Sequence, residues 1–348
     1  METALAVARE GIEKFPESGE MWNDYGVIQN QLGNPIGAAK SFEQALSLRD
    51  APPETHQNLE DIRQEFASLL PDEIIECPVF ICGTGRSGTT LLAMILDSHS
   101  NILVGPEIKA LLPIAKLYSE LSSQLSQHLS KYNFLHADLN ISFRKLISSL
   151  FTKRNMRGRV VEHTPLNILT MSELISIFPD AQFLHIIRDG RDVVSSLLNQ
   201  QWIELSTGKP FGPTENIVKA SHYWKNLIVS AKEVSKIKLS ESNYFEIKYE
   251  KLIDSQEETV RAILDFLGEP FESAVLEYHK HEHSFSPSTN KPQTGIYKSA
   301  LGRWKNEFSL QDAQIFDSIA GNLLIELGYE ENNDWVTLTT LKNKIVSD

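Results

Sequence analysis

From Pro78 onward, short apolar runs alternate with stretches of helical periodicity. Val79–Cys82, Ile102–Val104, Arg159–Val161, Phe183–Ile187 and Tyr244–Ile247 predict strands, each followed by residues whose apolar positions recur at helical spacing. Leu91–Leu96 reads as a buried helix, residues 108–150 and 213–238 as mostly helical segments, and Leu310–Leu327 as a closing helix. Strands separated by helices imply crossover connections and a mainly parallel sheet. Residues 281–300, rich in Ser, Pro, Thr, Asn and Gly, predict a loop. The expected fold class is α/β, a three-layer domain around a central, mainly parallel sheet.

The first fifty residues follow another pattern. Trp22, Gly26, Ala38, Phe42 and Ala45 resemble the W-x-x-L-G and A-x-x-x-F positions of a tetratricopeptide unit, and the 34-residue offset lands on Ala4, Ala8 and Gly11. Small residues recur in such units because paired helices must approach closely. Residues 1–16 then read as the second helix of one unit, 17–50 as a full unit and 53–68 as one more helix. A unit and a half is too short to bury its own core. Residues 1–68 are therefore expected to pack on the rest of the chain, or to take a protein partner. The expected division is a small helical, tetratricopeptide-like annex over 1–68 and a larger domain over 76–335.

Composition narrows the function. The 348 residues are 41% hydrophobic and 23% charged, which suits a folded globular chain of about two domains. Lys plus Arg is 33 and Asp plus Glu is 46, a net charge of −13. That balance disfavours general binding to nucleic acid or to anionic membrane, but leaves room for a local basic pocket. No apolar run approaches the roughly 18 residues of a membrane span, and the opening M-E-T-A-L-A-V-A-R-E lacks the basic start and apolar core of a signal peptide. Cys77 and Cys82, five positions apart on an expected strand, point to opposite faces and make poor disulfide partners. A cytoplasmic location is expected.

The candidate chemistry begins at Gly83-Thr84-Gly85-Arg86-Ser87-Gly88-Thr89-Thr90, between a predicted strand and a predicted helix. Glycines let successive backbone N–H groups turn inward, and the helix N-terminus adds positive dipole, so the segment reads as a phosphate loop. The G-x-x-x-x-G spacing matches a nucleotide triphosphatase, but Thr89 stands where the Lys would be and the cation has moved to Arg86. Phe183–Ile187 ends in Arg188 rather than in a magnesium-holding Asp. The loop is expected to take a phosphoryl-like group without a metal. Arg188-Asp189-Gly190-Arg191-Asp192 supplies further charge, with Ser196 eight residues past Arg188 on the following helix.

Together these segments resemble the sulfotransferase family, which uses 3′-phosphoadenosine 5′-phosphosulfate. The family's P-x-[RK]-S-G-T-T loop, which grips the 5′-phosphosulfate, is matched by Arg86, Ser87, Gly88, Thr89 and Thr90. Its strand-end Arg and following Ser, which hold the 3′-phosphate, are matched by Arg188 and Ser196. Its R-K-G-x-x-G-x-W-K-N-x-F segment is matched by Y-K-S-A-L-G-R-W-K-N-E-F, keeping Lys298, Gly302 and Trp304, with Tyr297 for the leading Arg and Ser299 for one Gly. Tyr249 opens a Y-E-K-L like the one whose Tyr lies against the nucleotide. The resemblance covers roughly residues 76–328.

The resemblance also offers two groups for the acceptor proton. Glu107, 21 residues after Arg86, matches the catalytic Glu of protein-tyrosine sulfotransferases. His163, in E-H-T-P, falls where cytosolic sulfotransferases carry a histidine base and tyrosine enzymes a Lys near the transferring group. The expectation makes Glu107 the base and His163 a transition-state donor or secondary base, with Ser288 or Thr289 as a possible further catalytic-loop hydroxyl. His279, His281 and His283 alternate in a polar stretch read as a solvated loop, and no metal is expected. The acceptor is expected to be a hydroxyl, less readily an amine, on a small molecule, glycan or protein. Two other readings stay open: a P-loop nucleotide kinase or hydrolase, and a repeat scaffold with a decayed nucleotide site.

Overall fold

The computed structural model describes residues 2–32, 34–69, 75–125, 131, 135–152, 158–204, 208–283, 285 and 298–337. The chain forms two compact units, Met1–Glu73 and Ile74–Asp348. In the first, helices Glu2–Lys14, Gly19–Gln31, Pro35–Leu46 and Glu54–Leu69 follow one another. Two begin on side-chain caps: Ser18 Oγ accepts from Met21 N, and Asn34 Oδ1 accepts from Gly37 N at 3.0 Å. Ala38, Phe42, Leu59 and Ile62 make an apolar core, and Thr55 Oγ1 donates to Asn23 Oδ1 in its buried polar part.

The second unit is built on five strands, β1 (Val79–Gly83), β2 (Ile102–Val104), β3 (Arg159–Glu162), β4 (Gln182–Ile187) and β5 (Tyr244–Lys248). They pair in parallel in the order β2-β3-β1-β4-β5. β1 is buried along its whole length, which explains why its sequence is uniformly apolar rather than alternating. Its side chains feed two cores. Val79 and Ile81 meet Leu92, Ile95, Ile263 and Leu264 on one face; Phe80 and Cys82 meet Phe143, Ile147, Met171 and Leu227 on the other. The expected three layers are present. A third cluster, including Trp224, Trp304, Phe316 and Trp335, joins helices Gly190–Leu198, Ile217–Lys238 and Leu310–Glu326. Among the described residues, the helical stretch expected over 108–150 holds helix Leu111–Leu125 and most of helix His136–Thr152.

Strand order places the functional end. From β1 the chain runs out past β3 to β2, returns as β3, then crosses to β4 and β5. The connections leaving β1 and β4 therefore diverge, although the strands are adjacent, with Gly83 paired to Ile186. Such a divergence opens a crevice at the C-terminal ends of a parallel sheet. Cys77 and Cys82 are both free thiols, one exposed and one buried.

Candidate active site

A cavity of about 800 Å³ opens at that crevice. Its lining includes residues from the segments that follow all five strands: Arg86 after β1, Glu107 after β2, Thr164 after β3, Arg188 after β4 and Tyr249 after β5.

The loop after β1 is tightly wound, with Ser87 N donating to the Thr84 carbonyl and Gly85 N to Tyr223 Oη. Arg86 (φ 74°) and Gly88 (φ 106°) both adopt left-handed backbone conformations. For Arg86 this costs roughly 1–3 kcal/mol, a strain tolerated where geometry serves a site. Gly88 has a second reason to be glycine: a Cβ there would lie 2.5 Å from the Tyr249 ring. Gly88 is the N-cap of helix Thr89–Asp97 and no side chain caps that end. Gly88, Thr89 and Thr90 line the cavity there. Thr84 Oγ1 and Ser87 Oγ are buried without a hydrogen-bond partner.

Positive charge converges above this loop. Arg86 Nε donates to Ser196 Oγ at 3.0 Å, and Arg188 donates to the Arg86 carbonyl at 3.0 Å and to the Ala300 carbonyl at 2.5 Å. The Arg188 guanidinium lies over the Tyr249 ring, 4.6 Å from its centre, and its Nε has no partner. Arg303 lines the same cavity. Burial, with Arg188 and Arg303 nearby, holds the Arg86 guanidinium below its ordinary pKa. Three guanidiniums gathered at one cavity, with Asp192 near Arg188 and Glu307 paired to Arg303, beside the unpartnered hydroxyls of Thr84 and Ser87 and a helix end that no side chain caps, fit a ligand rich in anionic oxygens.

Within R-D-G-R-D, only Arg188 lines the cavity. Asp189 caps helix Gly190–Leu198 and grips Arg191, whose guanidinium is held between Trp304 and Trp335, 4.0 and 4.7 Å from their ring centres. Asp192 accepts from Gly302 N and Trp304 N, which fastens the C-terminal basic turn beside Arg188. Gly190 admits Trp224 so closely that a Cβ would stand 2.5 Å from its ring. In Y-E-K-L, Tyr249 faces the cavity, while Glu250 accepts from Asp189 N and Tyr329 Oη.

The two proton candidates separate. Glu107 lines the cavity, and burial raises its carboxyl pKa above the ordinary range, with Lys109 opposing. His163 is 2% exposed and is not part of the cavity lining; its ring packs on Phe285 at 4.5 Å. Burial lowers its pKa to about 4, although Asp97 and a hydrogen bond to the Gly105 backbone favour the charged form. It is neutral at pH 7. Alternation along the chain explains the separation. Glu162, which is buried and does not itself line the cavity, accepts from Ile108 N at 2.7 Å, Thr164 N at 3.0 Å, Thr164 Oγ1 at 2.6 Å and Asn167 Nδ2, and the next residue takes the opposite face.

A pH dependence of stability follows from the buried imidazoles. His163 titrates at about 4 and the fully buried His185 at about 3 when folded, against about 6.5 unfolded. Between these values the unfolded chain binds more protons, so stability rises with pH and is lost as pH falls from 6.5 toward 4. His163 alone is expected to account for about 3 kcal/mol of this loss. Tm measured across that window should fall on acidification, and His163→Gln should flatten the slope.

Arg303 and Glu162 were not singled out in the sequence. Arg303 directly precedes Trp304 inside the matched motif, so its signal was present; nothing local marked Glu162. Lys298 opens the short turn Lys298–Ala300, while Ser288, Thr289 and Tyr297 lie outside the described residues. His279 and His281 are exposed, and His283 bonds to Asp97 and to the Tyr278 carbonyl. Among the described residues, no group of three or more His, Cys, Asp or Glu is placed to hold a metal ion.

The sulfotransferase family profile matches residues 78–273. A protein-tyrosine sulfotransferase of Drosophila melanogaster is 27% identical over 266 residues, 72% of this chain and 51% of its own length. An uncharacterised protein of Aquifex aeolicus is 25% identical over 242 residues, 66% of this chain and 30% of its own. The chain thus spans about half or less of these two relatives. The sulfotransferase domain from the curacin biosynthetic pathway shares the fold, with a TM-score of 0.52 and 18% identity over 72% of this chain and 98% of that one.

Proposed function

This chain belongs to the sulfotransferase family, and from that premise we propose that it moves a sulfuryl group from 3′-phosphoadenosine 5′-phosphosulfate to an acceptor hydroxyl. The observation that carries the reading is the convergence of Arg86, Arg188 and Arg303 with Ser196 and Tyr249 on one cavity that Glu107 also lines. The donor, when bound, supplies the sulfuryl group and leaves as the 3′,5′-bisphosphate. Arg86, with Ser87–Thr90 and the first turn of the following helix, holds the 5′ anionic oxygens. Arg188, Ser196 and Arg303 hold the 3′-phosphate, beside the turn that Lys298 opens, and the Tyr249 ring flanks the nucleotide. Glu107 takes the acceptor's proton. His163, neutral and packed on Phe285 with a hydrogen bond to the Gly105 backbone, serves as a supporting residue behind the cavity wall. A cytoplasmic location goes with this reading, supported by two unpaired cysteines.

The protein is expected to bind 3′-phosphoadenosine 5′-phosphate in EDTA, because guanidiniums rather than a metal supply the charge in the site. Calorimetry showing binding only after Mg²⁺ is added would favour a nucleotide kinase or hydrolase instead.

Glu162 gives a second expectation. Its carboxylate anchors the backbone next to Glu107 and the Thr164 turn together, so Glu162→Gln places an amide donor among donors. Turnover should fall by about tenfold, the cost of one mispaired buried hydrogen bond. Affinity for the bisphosphate should stay near wild type, since the contacts of Arg86 and Arg188 lie on other strands. Equal losses in both measurements would assign Glu162 to general stability.

A further inference from the structure

The cavity has a second half whose chemistry differs from the first. Away from the three arginines its apolar walls are Leu112, Leu166, Trp202, Ile203 and Phe211, its uncharged polar lining includes Thr164, Asn167 and Gln201, and the charged lining residues described there are Glu107 and Lys109. An aromatic row leads outward from the phosphate loop. Tyr223 Oη accepts from Gly85 N, the Tyr223 ring meets Phe211 edge-on at 5.7 Å, and Phe211 meets Trp202 at 6.0 Å. Trp202 and Ile203 are held out by a small antiparallel ladder, with Phe211 N donating to the Trp202 carbonyl at 2.7 Å and Ile203 bridged to Pro210. Trp202 is 37% and Ile203 62% exposed, so fixed apolar surface stands open at the cavity mouth.

We propose that the acceptor is an uncharged hydroxyl on an apolar body, an aryl or branched alkyl alcohol, seated against Leu112, Leu166, Trp202, Ile203 and Phe211. The proposal rests on the sulfotransferase reading and names the substrate class of that same site. The acceptor oxygen forms the new O–S bond and its proton passes to Glu107; the old S–O bond breaks, and its electron pair leaves with the phosphate oxygen of the donor. An apolar body covers the exposed side chains and releases their water. A sugar would leave most of its remaining hydroxyls against apolar walls, because the nearby Thr164 and Asn167 side chains already donate to Glu162. Among the described lining residues an acidic peptide would find Lys109 as the one cation outside the arginine cluster, near a carboxylate, with Lys209 beyond the lining on the hairpin beside Glu204, on a chain of net charge −13.

The test uses the full chain, labelled 3′-phosphoadenosine 5′-phosphosulfate and three acceptors: 2-naphthol, an acidic tyrosine peptide and a disaccharide. Bisphosphate binding is measured separately by calorimetry. The expected result is sulfation of 2-naphthol with kcat/KM at least about tenfold above the other two. Ile203→Lys, a change at an exposed position, should lower kcat/KM for 2-naphthol by about tenfold and leave bisphosphate affinity within about twofold. Bisphosphate binding together with preference for the peptide, and improvement of that preference in Ile203→Lys, would overturn the acceptor class while sparing the donor reading. Binding with sulfation of the disaccharide alone, or of none of the three, would also overturn it. Absence of bisphosphate binding would remove the donor reading and this proposal with it.

Discussion

Glu107→Gln is expected to lower turnover by roughly 10²–10⁴, the usual worth of a general base, while leaving affinity for the bisphosphate intact. The amide is close to isosteric but cannot accept the acceptor's proton, and Glu107 reaches the cavity from β2, on the far side of β3 from the phosphate loop. The pH profile adds a second readout. Burial raises the Glu107 pKa above the ordinary carboxylate range, so the wild-type rate should decline as pH falls through that raised value. The base works only when deprotonated, and the acid limb should vanish in the variant. His163 is neutral above about pH 4 and is not part of the cavity lining, so His163→Gln should keep the acid limb and change mainly the acid stability described above. Retention of more than about a tenth of the wild-type rate by Glu107→Gln would refute the assignment, given the range expected for a base.

Arg188→Ala should weaken bisphosphate binding by about 10- to 150-fold, the loss of one charge-assisted contact of roughly 1.5–3 kcal/mol. The guanidinium has an unpartnered Nε, stands over Tyr249 and lines the cavity beside Ser196. It also donates to the carbonyls of Arg86 and Ala300, so its removal frees two backbone anchors. Adenosine 5′-phosphosulfate separates these contributions, because it lacks the 3′-phosphate but uses the same loop. Its binding should change little. If both nucleotides lose affinity equally, Arg188 serves the loop rather than the 3′ end.

Much of this architecture was legible from local pattern. β1 is buried on both faces and so reads as an unbroken apolar run, and the loop after it must turn through left-handed conformations, so its glycines are visible by spacing. The five strands lie within a residue or two of the predicted runs because chain alternation and burial act locally. Arg86, Arg188 and Ser196 could be named because each sits at a stated offset from a strand end, whereas Tyr249 was named through the resemblance of its Y-E-K-L to the family motif.

What sequence alone determined was therefore the α/β class, the glycine-rich strand-to-helix loop and the positions of Arg86 and Arg188, all of which depend on near neighbours. Which side chains share one space was decided by the tertiary structure. Strand order 2-3-1-4-5 brings segments more than two hundred residues apart, Arg86 and Arg303, to one cavity, and no local spacing encodes that meeting. The same holds for the proton candidates. Which faces Glu162 and His163 take depends on how the chain leaves β3 and on the donors of Ile108 and Asn167 that wait there. Those partners, through burial and hydrogen bonding rather than residue type, left Glu107 on the cavity wall and His163 behind it.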